Sequence, residues 1–368
     1  MHTVTLACAL LLCWSLQAWA INAADYSVVC DGTTNNATPL QNALNAAGSG
    51  SNGVGKMLYM PDGGTCKLNS TVTISNVIGL RIEGNGVKFT WGGNSTTPMF
   101  LFQDARESSL RNFAVEASTS QPLKTVVQME NGSGSTITPS NNRLEHGLIE
   151  CVNGGCEVGV RFAQGAGGDN NNDFNVAEHV SINNVSLACV RIEHGQSKHN
   201  MFRHFNCQNN NIGSYVIQTI PRGSFHCDEC VGGYSTIADF YLSDATDGIS
   251  ITRGNFEGSK RLLETAGPSG AAFPIMITST RWAGNQLHAD GKAIIYKFRG
   301  PLVLLNNLFE STAALSIDFT PGGGNGALTS YGNYFGSTLG NPYSTTQPAC
   351  SLGNLIDRNN GSGPVVLP

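Results

Sequence analysis

Apolar residues in the second half of the chain recur at a long, nearly constant interval. Val180, Phe205, Cys230, Phe256, Trp282, Leu308 and Tyr334 are separated by 25, 25, 26, 26, 26 and 26 residues. Immediately before them stand His179, His204, Glu229, Asn255, Arg281, Asn307 and Asn333. Within each interval, short runs of alternating apolar and polar residues are separated by Gly, Asn and Ser. A fixed step of this length predicts a solenoid coil of short strands, because each coil can bury its apolar side only against its neighbours. In such a coil the apolar column stacks on itself, and Asn at the turn accepts the left-handed conformation.

The clearest coil reads as strand Asn200–Arg203, a tight turn at His204, strand Phe205–Gln208, a looser turn over Asn209–Gly213, strand Tyr215–Thr219 and a loop over Ile220–Ser224. Neighbouring third strands are expected at Gly159–Gln164, Cys189–His194, Asp239–Asp244 and Arg261–Thr265. From Leu148 to Val180 the step stretches to 32 residues, and the polar run Gly167–Asp173 predicts a loop overhanging one face. The coils are clearest over 142–338. Upstream, Leu40, Ala43, Leu44 and Ala47 form a helical stripe, with Thr38 as N-cap and Pro39 at the first helical position. A short amphipathic helix there would cap the open end of the solenoid. Lys56–Met60 reads as a strand ending in the turn Pro61–Gly64.

The N-terminus changes the cellular picture. Leu6–Leu16 is an apolar run followed by Ala18-Trp19-Ala20, which predicts a signal peptide over 1–20 and one secreted, extracellular or periplasmic domain over 21–368. Of the 11 Cys, nine then remain, and export favours disulfides, with Cys30/Cys66 and Cys151/Cys156 the expected pairs. Cys227 and Cys230 form a C-x-x-C without the second half of a zinc site, so they read as core residues. N-x-S/T sequons occur at Asn36, Asn69, Asn94, Asn131, Asn184 and Asn360, acceptors only in a eukaryotic host. Charged residues are only 13% of the chain, Gly numbers 44 and the net charge is −5, which suits tight-turned strands and argues against nucleic acid as a partner. No membrane partner is indicated beyond the signal, and a monomer is expected.

The opening segments carry a resemblance. Asp25-Tyr26-Ser27, Asp31-Gly32-Thr33, Pro39–Leu44, Met57–Gly63 and Leu80–Gly84 resemble the start of the pectate-lyase-like superfamily. That superfamily contains polysaccharide lyases, polygalacturonase-like hydrolases, epimerases and phage tailspikes. The resemblance implies an all-β right-handed parallel β-helix and a polysaccharide partner, with the third strand of each coil forming the substrate face. The chain carries Asn35-Asn36 where the superfamily often has acidic residues. It also lacks the paired-Asp and Gly-His-Gly motifs of the polygalacturonase branch, so no catalytic set is transferred.

Alternation along the expected third strands nominates the chemistry. Arg161 and Arg191 are equivalent, and Tyr241 falls in their column. Glu193 aligns with Gln218, Ser243 and Glu264, and His194 with Thr219 and Asp244. Asp239 opens its strand, and Lys198, Arg222 and Asp247 follow in loops. In β-elimination on a uronate, Arg161 or Arg191 would neutralise the carboxylate while His194 or Tyr241 served as base or acid. A calcium ion on Glu193, Asp239 or Asp244 is the alternative neutraliser, and no other cofactor is expected. Hydrolysis would instead use a carboxyl pair drawn from Asp239, Asp244, Glu193 and Glu264. Elimination is the first expectation because Arg, His and Tyr share the trough with the acids. Catalytic candidates are thus Arg191, His194, Tyr241, Asp239, Asp244 and Glu193. Substrate-binding candidates are Arg161, Gln218, Arg222, Lys198 and Glu264. Uronate epimerisation and a non-catalytic carbohydrate-binding or surface β-helix need the same trough. His146, His179, His204, Glu229 and Arg281 read as polar stacking at a turn, and Phe256, Trp282 and Tyr334 as core stacking. The Gly-rich run Gly322–Gly326 reads as a loop.

Overall fold

The computed structural model describes residues 20–167, 171–220, 222–244, 247–267, 273–321 and 326–336, and strand segments between 343 and 367. The signal-peptide segment, most of the Gly-rich run at 322–326 and the sequon at Asn360 lie outside them. The chain is an all-β parallel β-solenoid. Third strands form a 12-stranded sheet, and first and second strands together form a 24-stranded sheet. Pairing is parallel throughout the described residues, except for Asn354–Asp357 against Val365–Leu367 and an isolated bridge between Ser118 and Gln121.

The first and second strands merge in Ser109–Ser118, Arg143–Val152 and Val176–Asn183. Each bends at one residue in the left-handed region: Asn112 (φ 49°), His146 (52°) and His179 (53°). The column continues through His204, Glu229, Arg253, Ser279 and Asn306. Side chains on this corner stack in the open. His146 and His179 lie 5.0 Å apart, His179 and His204 4.6 Å, with planes within 7°. His204 Nδ1 then meets Glu229 Oε2 at 2.8 Å. The polar-stacking reading holds for His146, His179, His204 and Glu229; Asn255 and Arg281 lie two residues beyond the corner.

That slip corrects the column itself. Strand register pairs Cys207 with Gly232, Gly232 with Phe256, Phe256 with Trp282, Trp282 with Phe309 and Phe309 with Phe335. Phe256, Trp282, Phe309 and Phe335 are buried, whereas Leu308 and Tyr334 are only partly so. Successive strand residues face opposite sides, so an offset of one exchanges core for surface. For the same reason Gly147, not the exposed Leu148, pairs with Val180.

Buried Asn and Ser stitch the coils at a second corner. Asn142 Oδ1 accepts from Ser108 N, Asn175 Oδ1 from Asn142 N and Asn200 Oδ1 from Asn175 N, at 3.0, 3.0 and 3.1 Å. Asn307 and Asn333 repeat the device further along, with Asn307 Nδ2 on the Ile277 carbonyl at 2.8 Å. Side-chain amides thereby satisfy backbone groups that the turns leave inside the core. The expected overhanging loop is partly tied down, since Asn172 is buried and donates to the carbonyls of Met129 and Ala163.

The helix spans Ala37–Ala46 and turns Leu40, Ala43 and Leu44 into the core. It begins two residues earlier than expected, with Asn36 at the N-cap position. Asn36 is buried and binds the Val29 backbone on both sides and the Thr34 carbonyl, so it closes a loop and is unavailable as a sequon. Disulfides join Cys30–Cys66 and Cys151–Cys156 as expected, and also Cys189–Cys207 and Cys227–Cys230. The C-x-x-C is thus a buried disulfide and not two free core thiols. Four such bonds are consistent with an oxidising, extracellular setting. No helix among the described residues is long and apolar enough to cross a membrane.

Candidate functional site

The outward column of the third-strand sheet runs Leu101, Gln128, Arg161, Arg191, Gln218, Tyr241, Glu264, Ile295 and Asp318. The equivalence of Arg161, Arg191 and Tyr241 is therefore seen. Gln218 pairs with Arg191 and Glu264 with Tyr241, so neither aligns with Glu193 as expected; each sits two residues off because the strands start later than the alternation suggested. Thr219 pairs with Ile192 and faces inward, which removes the alignment with His194.

Arg161, Arg191 and Glu193 meet in a cleft of about 460 Å³ lined also by Gln128, Glu130, Ala163, Gln164, Gly165 and Ile220. Arg161 Nε donates to Glu193 Oε2 at 2.7 Å, its Nη2 binds the same oxygen, and its Nη1 reaches Gln128 Oε1 at 3.2 Å. Arg191 Nε lies 2.6 Å from Glu193 Oε1, off the line of a hydrogen bond, and its Nη1 lies 3.6 Å from Glu157 Oε1. Lys124 binds Glu157 in turn. Lys124, Arg161 and Arg191 thus face Glu157, Glu193 and the Glu130 that lines the same cleft, so cations and carboxylates balance along this stretch.

Glu130 closes the near edge of the cleft. Its partners are neutral amides: Gln103 Nε2 donates to Oε1 at 2.9 Å, and Gln128 Nε2 donates to Oε2. Behind it, Asp104 is buried in a left-handed turn (φ 55°) and accepts from Gly132 N at 2.7 Å. Burial raises the Asp104 pKa, the Gly132 N–H lowers it, and the charge of Glu130 raises it again. Sequence reasoning missed Gln128, Glu130 and Asp104 because the third-strand frame began one coil too late. The signal was Gln128-Met129-Glu130, the same outward-inward-outward pattern as Arg191-Ile192-Glu193.

The other nominated residues disperse. His194 is 2% exposed, and its Nδ1 accepts from Gln196 N at 3.3 Å. Asp239 lies in the core with no exposure, and Ser259 and Ser235 donate to it at 2.6 and 3.2 Å. Burial pushes its pKa up to about 7 against the pull of those donors. Asp239 sits at the corner before the strand, against Ser235 and Ser259, so the alternation that places Tyr241 outside does not extend to it. Asp244 pairs with Arg222 at 2.9 Å, Lys198 with Asp247 at 3.2 Å and Glu264 with Arg261 at 3.0 Å. The phenol of Tyr241 is raised by burial, then by Glu264, which disfavours a phenolate base. No three His, Cys, Asp or Glu among the described residues converge as a metal-binding group.

No family model and no curated protein matches the sequence. Solved structures do. The Dettilon tailspike protein superposes with a TM-score of 0.51 at 13% identity, covering 93% of this chain and 69% of that one. The Yersinia enterocolitica family 28 exopolygalacturonase superposes at 0.48 and 9% identity, covering 90% and 78%. What this chain shares with the tailspike, at that level of identity, is its architecture: it is a parallel β-helix protein.

Proposed function

We propose that this chain is a secreted enzyme that cleaves an acidic polysaccharide laid along the third-strand face, by hydrolysis at Glu130 and Glu193. The observation that carries the reading is the cleft itself. It gathers two guanidiniums and two carboxylates on one continuous strand ladder, with Arg161 on the rung between Glu130 and Glu193. Guanidinium forks suit the carboxylate of a uronate. Glu193 lies one rung from the Ala163–Gln164 segment that faces Glu130, so the two carboxylates stand about two rungs apart, roughly 10 Å along the ladder. That is near the spacing of roughly 6.5–9.5 Å that admits a water in inverting hydrolysis. Glu130, whose partners are neutral amides, is the candidate acid; Glu193, which pairs with Arg161 and Arg191, is the candidate base.

Hydrolysis is favoured over elimination because His194 is buried and the Tyr241 phenol is harder to ionise. The helix Ala37–Ala46 is read as the cover of the N-terminal end of the solenoid. Incubation with a panel of acidic polysaccharides, following ultraviolet absorbance and reducing ends together, tests the proposal. New reducing ends without absorbance are expected, and Glu130→Gln should slow their release by about 10²–10⁴-fold. Absorbance rising with reducing ends would establish elimination instead. A second reading, binding without cleavage, is favoured by the ion pairing of Glu193, Asp244 and Glu264, and would be supported by tight binding with neither signal.

A further inference from the structure

Beyond Arg191 the ladder changes character. Gln218 is 5% exposed, and its Oε1 is buried with no hydrogen-bond partner. On the same outer face, Tyr215 and Tyr241 lie 5.2 Å apart with planes at 40°. With Leu187, Ala188 and Ala238 they form a small apolar cluster separate from the main core. The charge balance changes as well. Arg261 is shared by Glu264 at 3.0 Å and by Asp290, which grips it through both oxygens at 2.9 Å, so the surplus there is negative. Lys292 and Asp318 cancel one another at 2.7 Å.

A buried amide oxygen without a donor is costly in a finished fold, and a ligand donor would satisfy it. Aromatic rings beside a few fixed polar groups are the usual lining of a ligand site. We infer that Gln218, Tyr215 and Tyr241 form a second sugar subsite that takes an uncharged residue, whose hydroxyl or amide N–H donates to Gln218 Oε1. A uronate is excluded there by the neighbouring Glu264 and Asp290. The substrate is then a heteropolymer, with an acidic residue at the Arg161–Glu193–Arg191 cleft and a neutral one next along the chain, rather than a homopolymer of uronate. The inference rests on reading this face as a glycan trough.

The test is calorimetric titration of the full chain carrying Glu130→Gln, which slows turnover. The probes are oligogalacturonate, hyaluronan oligosaccharides, and oligosaccharides in which glucuronate alternates with glucose. At least one alternating polymer should bind ten times or more tightly than oligogalacturonate. Adding Gln218→Met should abolish that preference while leaving oligogalacturonate affinity within twofold. The melting temperature of Gln218→Met should be unchanged or raised, because the amide has no internal partner to lose. Equal or tighter binding of oligogalacturonate, or a preference that survives Gln218→Met, overturns the subsite while sparing the trough. Absence of binding to all three overturns both.

Discussion

Asp239 has a measurable consequence at the level of a single side chain. Its folded pKa, about 7, lies above the ordinary 3.8, so the native state holds a proton that the unfolded chain releases. Its contribution is therefore full below about pH 4 and is lost as pH rises toward 7. Asp239→Asn mimics the protonated form and keeps an acceptor for Ser235 and Ser259. Denaturant unfolding should find the variant more stable than the parent at pH 7.5, by about 1–4 kcal/mol, with the gap closing near pH 4. His226 works in the opposite sense. Burial, then the neighbouring His199, lowers its pKa from 6.5, so its contribution is present above that value and lost as the medium is acidified below it. Comparing variant with parent at each pH cancels that second slope. The nomination of Asp239 as catalytic shows where sequence reasoning stops at this scale. Alternation says that a residue faces one of two sides, but an Asp at a strand entrance looks the same whether that side is solvent or core.

Turns and ladders carry the predictions for elements. Asn175 takes part in the buried chain Asn142–Asn175–Asn200, with Nδ2 on Asn172 Oδ1 at 3.0 Å. Asn175→Leu should cost about 2–4 kcal/mol, since it leaves a buried backbone N–H at Asn142 unsatisfied as well as breaking its own bonds. Loss of Asn142 amide protection in hydrogen exchange would locate the damage at that corner; uniform loss across the solenoid would contradict it. At the cleft edge, Gly165 has φ +66°, and a Cβ there would sit 2.1 Å from the Asn131 carbonyl oxygen. Gly165→Ala should displace the strand end beside Glu130 and reduce cleavage more than stability, as measured by rate against melting temperature. The coil period and the third strand Tyr215–Thr219 were legible because strand spacing repeats. The exact column was not, because the step shortens between Cys230 and Gly254 and the apolar signal tolerates a shift of one or two residues.

For the molecule as a whole, the repeating coils decouple the trough from the core. Each third-strand residue of the cleft faces outward while its neighbours supply the packing, so cleft variants should leave the fold alone. Arg161→Met should weaken binding of an acidic oligosaccharide tenfold or more with circular dichroism unchanged. The melting temperature should fall little, because Arg191 still pairs with Glu193. A collapse of the fold instead would make the cluster a structural staple. Charge distributed along the ladder also gives the face a direction, from the balanced guanidinium-bearing cleft at Arg161 and Arg191 to the net negative stretch at Glu264 and Asp290.

By itself the sequence determined the solenoid, its approximate step, two of the disulfides and the face on which Arg161, Arg191 and Tyr241 line up. Those follow from local rules: strand alternation, turn residues and a period that every coil repeats. Which residues meet was decided by the tertiary structure. Register between coils depends on loop lengths that vary by a residue or two, and two residues are enough to set Gln218 beside Arg191 instead of Glu193, while the corner before its strand sends Asp239 into the core. Only the stacked coils bring Gln128 and Glu130 to the edge of the Arg161–Glu193 cleft, because their closeness is between rungs and has no counterpart along the chain.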